Sequence, residues 1–197
     1  MNYYIADCHF GHKNILRFDQ RPFGDLYQME EVMVMLWNAA VKKADTVYIL
    51  GDFCWGKADE WLRILNQLNG QKVLIEGNHD LGNYPAELKE CFLDIQPYKE
   101  ISDNGRKVIM SHYPIPFYRH SGDPNMHMLC GHVHNTAENA CLERWTHELR
   151  NDSNPDLVNR GQIYNVGCMM PWMEYTPRSL DELVKRWNKH HQYLNSQ

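Results

Sequence analysis

Five short stretches of this chain collect carboxylates, imidazoles and a carboxamide. They are Asp7 and His9 in "IADCHF", Asp52 in "LGDF", Asn78, His79 and Asp80 in "EGNHDLG", His112 in "MSHY", and His132 and His134 in "CGHVHN". Any one stretch alone reads as a turn, because Asn, Asp and Gly favour turns for local backbone reasons. Asp7, His9, Asp52, Asn78, His112, His132 and His134 together offer two carboxylates, one amide oxygen and four imidazoles. Oxygen-only ions prefer carboxylates and carbonyls, and soft sites prefer thiolates; a mixed N/O set suits Mn, Fe, Zn, Co or Ni. Seven ligands exceed what one tetrahedral ion takes, and they suit two ions sharing a carboxylate. Two dications against two carboxylates leave about +2 for an anionic substrate, and an Asp in place of Asn78 would remove one unit of it. Such a pair can clamp the attacking and leaving oxygens of an in-line displacement and lower the pKa of bound water toward ~7.

Residues spread between positions 7 and 134 can share a pocket only if the chain returns them to one edge. The runs "YYIAD", "TVYIL", "KVLIE", "KVIMSH" and "MHMLCGH" read as short strands, each reaching one of the polar clusters at its C-terminal end. Ligands in open α/β sheets gather at that edge. Between the first three runs lie helical patterns. One spans Leu26 to Val41, with Met29, Met33, Leu36 and Ala40 three or four apart and Asp25 and Gln28 resembling a capping box; another carries Trp61, Leu65 and Leu68 and ends at Gly70. That alternation favours parallel pairing. The runs on either side of Asp103-Asn104-Gly105-Arg106 read as an antiparallel hairpin. A helix over Glu138–Leu149, a polar loop "RNDSNPDLVNRG", a strand "QIYNVG" and a helix starting at Ser179, with Glu182 completing a capping box, follow. There are more strands than one small sheet would hold.

The chain has 197 residues, 43% apolar and 23% charged, which is enough for one domain with a sizeable core, and no linker or repeat divides residues 1–197. No apolar run is long enough to span a membrane, and the N-terminus has no signal-peptide core, so a soluble cytoplasmic protein is expected. A net charge of -5 without a basic run argues against binding nucleic acid chiefly by phosphate neutralisation. The six cysteines form no CxxC pair and read as reduced, mostly buried residues.

The ordered blocks D-x-H, G-D, G-N-H-D, H and G-H-x-H resemble the calcineurin-like metallophosphoesterase superfamily. "DCHFGHKNILRFDQRPF" and "NVGCMMPWMEYTPRSLDEL" are similar to its small bacterial and phage-type members. The resemblance implies an α/β fold, a four-layer α/β/β/α sandwich with two mixed β-sheets flanked by helices. It implies Asp7, His9 and His134 on one metal, Asn78, His112 and His132 on a second, and Asp52 bridging them. In that pattern a hydroxide held between the ions attacks phosphorus, His79 protonates the leaving oxygen and Asp80 aims the His79 ring. "GDFCWGKAD" lacks the Asp-Arg-Gly that follows the second motif in protein phosphatases, and no long extra domain like that of the repair nucleases follows residue 134.

The expected activity is metal-dependent phosphoester hydrolysis, with a nucleotide or other small diester ahead of a monoester. A catalytically silent metal-binding scaffold of the same fold is the rival reading. The expected cofactors are two divalent transition-metal ions, Mn or Fe ahead of Zn, Co or Ni. The expected partner is the small phosphoester substrate, a nucleotide or short nucleic acid, with no membrane and no obligate protein partner. Asn14, Arg17 and Arg21 could grip a phosphate oxygen and His12 could point at the substrate, though each serves equally well as a solvated surface residue; the loop "YPIPFYRHSGDPN", with Arg119 and His120 among its aromatics, could stack a nucleobase or equally close over the core edge.

Overall fold

The computed structural model describes residues 1–151, 153–154 and 161–195, so most of the polar loop expected at 150–161 lies outside the described residues. Strands β1 (Asn2–Ile5), β2 (Thr46–Ile49), β3 (Gln71–Ile75) and β4 (Asp94–Gln96) form one sheet in that order. All its pairs are parallel, with Ile5 opposite Ile49 and Ile49 opposite Leu74. Strands β5 (Tyr98–Asp103), β6 (Arg106–Ser111), β7 (Met126–Cys130) and β8 (Ile163–Asn165) form the second. In this sheet the β5–β6 hairpin is antiparallel and the other pairs are parallel. Only the second sheet is therefore mixed. The three-residue β4 is too short and too evenly half-buried to show a strand pattern in sequence.

Helix α1 (Ile15–Phe18) is a single turn, and α2 (Leu26–Ala40) and α3 (Ala58–Leu65) supply the first crossovers. The Asp25 carboxylate caps α2 by accepting from the Gln28 amide at 2.8 Å, while the Gln28 side chain reaches back to Gly24 N at 2.6 Å. Met29, Met33 and Trp37 of α2 and Trp61, Ile64 and Leu65 of α3 are buried in one cluster with β1, β2 and β3. Helix α4 (Ala86–Lys89) is another short turn; α5 (Ala137–Arg150) and α6 (Leu180–Asn195) follow β7 and β8. Glu182 and Ser179 cap α6 reciprocally, at 3.1 and 3.4 Å.

The period of two along the second sheet joins the layers. Val108, Met110, Leu129 and Tyr164 belong to the cluster of the first sheet. Ile109, Met128, Cys130 and Ile163 point the other way, against Leu142 and Trp145 of α5. Two sheets thus share an interior and carry helices outside, which brings the C-terminal ends of their strands to a common edge. Among the described residues no helix is long and apolar enough to cross a membrane.

His127, on β7, is buried, and neither ring nitrogen has a hydrogen-bond partner among the described residues. Burial first, then Arg106 and Arg150 against the weaker pull of Asp123, pushes its pKa down from 6.5 to about 4. Between these values the unfolded chain binds the extra proton. Stability from this group is complete above pH 6.5 and falls by about 3 kcal/mol as the pH drops to 4. Urea unfolding of His127→Leu should therefore show a shallower loss between pH 7 and pH 4 than the parent chain; parallel curves would contradict this.

Candidate metal centre

Beyond their last paired residues, β1 and β2 run on side by side. Asp7 N donates to Gly51 O at 3.1 Å, His9 N to Asp52 O at 2.9 Å and Phe10 N to Phe53 O at 3.0 Å. The backbone then turns sharply at the candidate ligands. Asp7 (φ 54°), His9 (φ 52°), Asp52 (φ 50°), His132 (φ 70°) and His134 (φ 45°) are all left-handed. For residues with a Cβ this conformation costs on the order of 1–3 kcal/mol each, and it clusters where function over-determines geometry. The motif glycines answer a different demand. A Cβ on Gly51 would lie 2.4 Å from His112 Nδ1, and one on Gly77 2.4 Å from Asp52 Oδ1. No side chain fits between these loops.

Asp7, His9, Asp52 and His134 bring ligand atoms to within 4.8 Å of one another. Buried His9 Nε2 has no hydrogen-bond partner among the described residues and lies 3.6 Å from Asp52 Oδ2. Burial, with the fields of Arg21 and neighbouring histidines, pushes the His9 pKa down to about 2, so the ring is neutral and keeps a free electron pair. Asp7 is fully buried and accepts from His132 N at 3.1 Å; burial, reinforced by Asp52, pushes its pKa up to about 7. His112 Nδ1 sits 2.9 Å from the Leu50 carbonyl, an acceptor that favours the tautomer with its proton on Nδ1 and Nε2 open to coordinate. That Nε2 faces Asn78 Oδ1 at 2.9 Å and Asp52 Oδ2 at 3.7 Å. The His132 ring lies 5.1 Å from that of His112, centroid to centroid. A buried, convergent set of imidazole nitrogens and carboxylate and amide oxygens fits a divalent cation.

Residues 3–161 match the sequence model of the calcineurin-like phosphoesterases. The chain belongs to that family. An uncharacterized protein of Methanocaldococcus jannaschii is 30% identical over 185 residues, covering 93% of this chain and 89% of its own. The Gene 66 protein of Mycobacterium phage L5 is 24% identical, over 80% of this chain and 93% of its own. The crystal structure of a protein of unknown function from Aquifex aeolicus superposes with a TM-score of 0.65 at 32% identity, covering 94% of this chain and 98% of that one.

In this member of the family several expected roles change. Arg21 is buried and does not face a substrate: its guanidinium donates to Asp7 O and Cys8 O at 2.8 Å and to Asp19 Oδ2 at 2.8 and 3.0 Å. Asp19 in turn takes the His134 Nδ1 proton at 2.7 Å and leaves Nε2 4.0 Å from Asp7 Oδ1, which is how a carboxylate orients a ligand histidine. Burial opposes charge on His134, but the Asp19 bond and the Asp7 field outweigh it and raise its pKa. Asp19 lies within the stretch "DCHFGHKNILRFDQRPF", but nothing local shows that it pairs with a histidine 115 residues away. Arg119 and His120 line a cavity of ≈ 610 Å³ with Lys107 and Met126. Lys107 and Met126 pair at the N-terminal ends of β6 and β7, the end away from the metal cluster, so both residues leave the site. Asn14 and Arg17 are exposed, with Arg17 over the Phe18 ring at 5.3 Å. Half-buried His12 stacks on Trp55, and its centroid lies 5.4 Å from that of His9.

His79 is exposed, with its ring 5.9 Å from that of His9 and its amide bonded to Asp52 Oδ1 at 2.9 Å. Asp80 does not aim that ring. Its carboxylate accepts from Gly77 N at 2.8 Å, Phe53 N at 3.0 Å and Asp52 N at 3.1 Å, tying together the loops after β2 and β3. Burial nevertheless pushes its pKa up to about 6 against these three bonds. Asp80→Ala should lower unfolding stability by about 2–4 kcal/mol and weaken metal retention, because the amides lose their partner. Unchanged stability with turnover alone lost would restore the ring-aiming role.

Proposed function

We propose that this phosphoesterase hydrolyses a phosphodiester, a nucleotide or other small diester ahead of a monoester, with two divalent ions, Mn or Fe favoured. One observation supports the pair above all. Asp52 Oδ2 lies 3.6 Å from His9 Nε2 and 3.7 Å from His112 Nε2, between the two ligand groups. Asp7, His9, Asp52 and His134 would hold one ion, and Asp52, Asn78, His112 and His132 the other. Bound there, the ions supply neutralisation of phosphoryl oxygens and a water pKa lowered toward ~7.

The chain does the rest. Asp7, His9, Asp52, Asn78, His112, His132 and His134 serve as ligands and His79 as the acid, and transfer goes directly to water with inversion at phosphorus. Exposed His79, at the mouth, donates the proton to the departing oxygen. Arg21, one of the arginines expected to grip phosphate, is committed inside the fold and adds no positive charge toward a substrate. The substrate is the partner; no obligate protein partner is needed. The six free cysteines suit the reducing cytoplasm.

Hydrolysis of bis-p-nitrophenyl phosphate with Mn should vanish on chelation. In His79→Ala, kcat for a dinucleoside monophosphate, whose alkoxide leaving oxygen needs a proton, should drop by about a hundredfold to ten-thousandfold while metal content persists. Full turnover under chelation would contradict the role of the ions, and full turnover in His79→Ala the role of that imidazole.

A further inference from the structure

Trp55 is the exposed one among six tryptophans, at 44%, whereas Trp37 and Trp61 on either side of it in sequence are 1% and 0% exposed. An indole left in water beside a polar pocket calls for a reason, because tryptophan buries readily when only packing is at stake. Trp55 is also held rigidly. Its amide donates to Phe10 O at 2.6 Å, Phe10 pairs with Cys54, and one face of the indole lies on His12 at 4.4 Å and 15°. The indole centroid is 5.4 Å from that of His79, which is 5.9 Å from that of His9. One imidazole therefore separates the metal cluster from the indole, a gap that a sugar bridges between a phosphate and its base. A ring bonded directly to the phosphate oxygen would stop at His79. Phe18, 60% exposed, extends the apolar surface beyond His12 at 6.1 Å.

We propose that Trp55, braced by His12, is the platform on which the base of a nucleoside leaving group stacks. This rests on the hydrolase reading, since His79 beside the indole marks the side from which the leaving oxygen departs. The platform makes the enzyme select diesters whose departing alcohol is a nucleoside.

The test uses the metal-loaded chain, Trp55→Ala and Trp55→Phe, with adenosine 5′-monophosphate and glycerol phosphate as ligands. Adenosine monophosphate should quench the exposed-tryptophan fluorescence of the parent chain. By calorimetry its affinity should fall about tenfold or more in Trp55→Ala and largely return in Trp55→Phe, while glycerol phosphate binds all three alike. Equal adenosine monophosphate affinities, or a matching loss for glycerol phosphate, overturn the platform. The fall in kcat/KM for Trp55→Ala should be steeper for a dinucleoside monophosphate than for thymidine 5′-p-nitrophenyl phosphate, whose leaving group carries no base. Equal falls overturn the leaving-group assignment. Turnover of bis-p-nitrophenyl phosphate by the same samples reports separately on the hydrolase reading. Turnover without Trp55-dependent binding removes the platform alone, and Trp55-dependent binding without turnover removes the hydrolase reading alone.

Discussion

Donor atoms of Asp7, His9, Asp52 and His134 crowd within 4.8 Å of one another, and electron-rich atoms at that separation repel when no cation lies among them. Burial of the Asp7 carboxylate, with Asp52 adding to it and His134 opposing it, raises its pKa to about 7, so a charge there is held at a cost. A fold that places these groups together must hold them against repulsion, desolvation and backbone strain. Much of the surrounding structure is explained by that need.

The holding is done by residues that touch no substrate. Arg21 grips the carbonyls of Asp7 and Cys8 from behind and anchors Asp19, which fixes the His134 ring. Asp80 collects three amides from the two loops that carry Asp52 and His79. Gly51 and Gly77 let those loops approach closer than any side chain would permit. Behind them, the parallel first sheet and the β6–β7 pair deliver their strand ends to the same edge, so residues from 7 to 134 meet without a long-range loop. Left-handed turns at five ligand positions then swing the side chains inward.

Much of this was legible in the sequence, for a physical reason. Strand runs reveal themselves by apolar continuity, and ligands by their chemical type at the end of each run; both signals are local. Asp7, His9, Asp52 and His134 carried them, as did the Asp103–Arg106 hairpin and the capping residues Asp25 and Ser179. What stayed hidden depends on contacts distant in sequence. Arg21 and Asp80 look like functional residues by type, and nothing local tells that their donors and acceptors are spent on backbone 13, 14 or 27 residues away. Arg119 and His120 looked close to the site because they follow His112, yet the chain between β6 and β7 returns to the opposite end of the sheet before β7 begins. Trp55 carries no local signal of its exposure, which only the fold reveals.

Whether the donors hold two ions is the point on which the mechanism turns, and diffraction from Mn-loaded crystals at a wavelength where Mn scatters anomalously answers it without any substrate. Two peaks are expected, one among Asp7, His9, Asp52 and His134 and one among Asp52, Asn78, His112 and His132, with Asp52 between them. A single peak in that pocket, or peaks elsewhere, would contradict the paired centre.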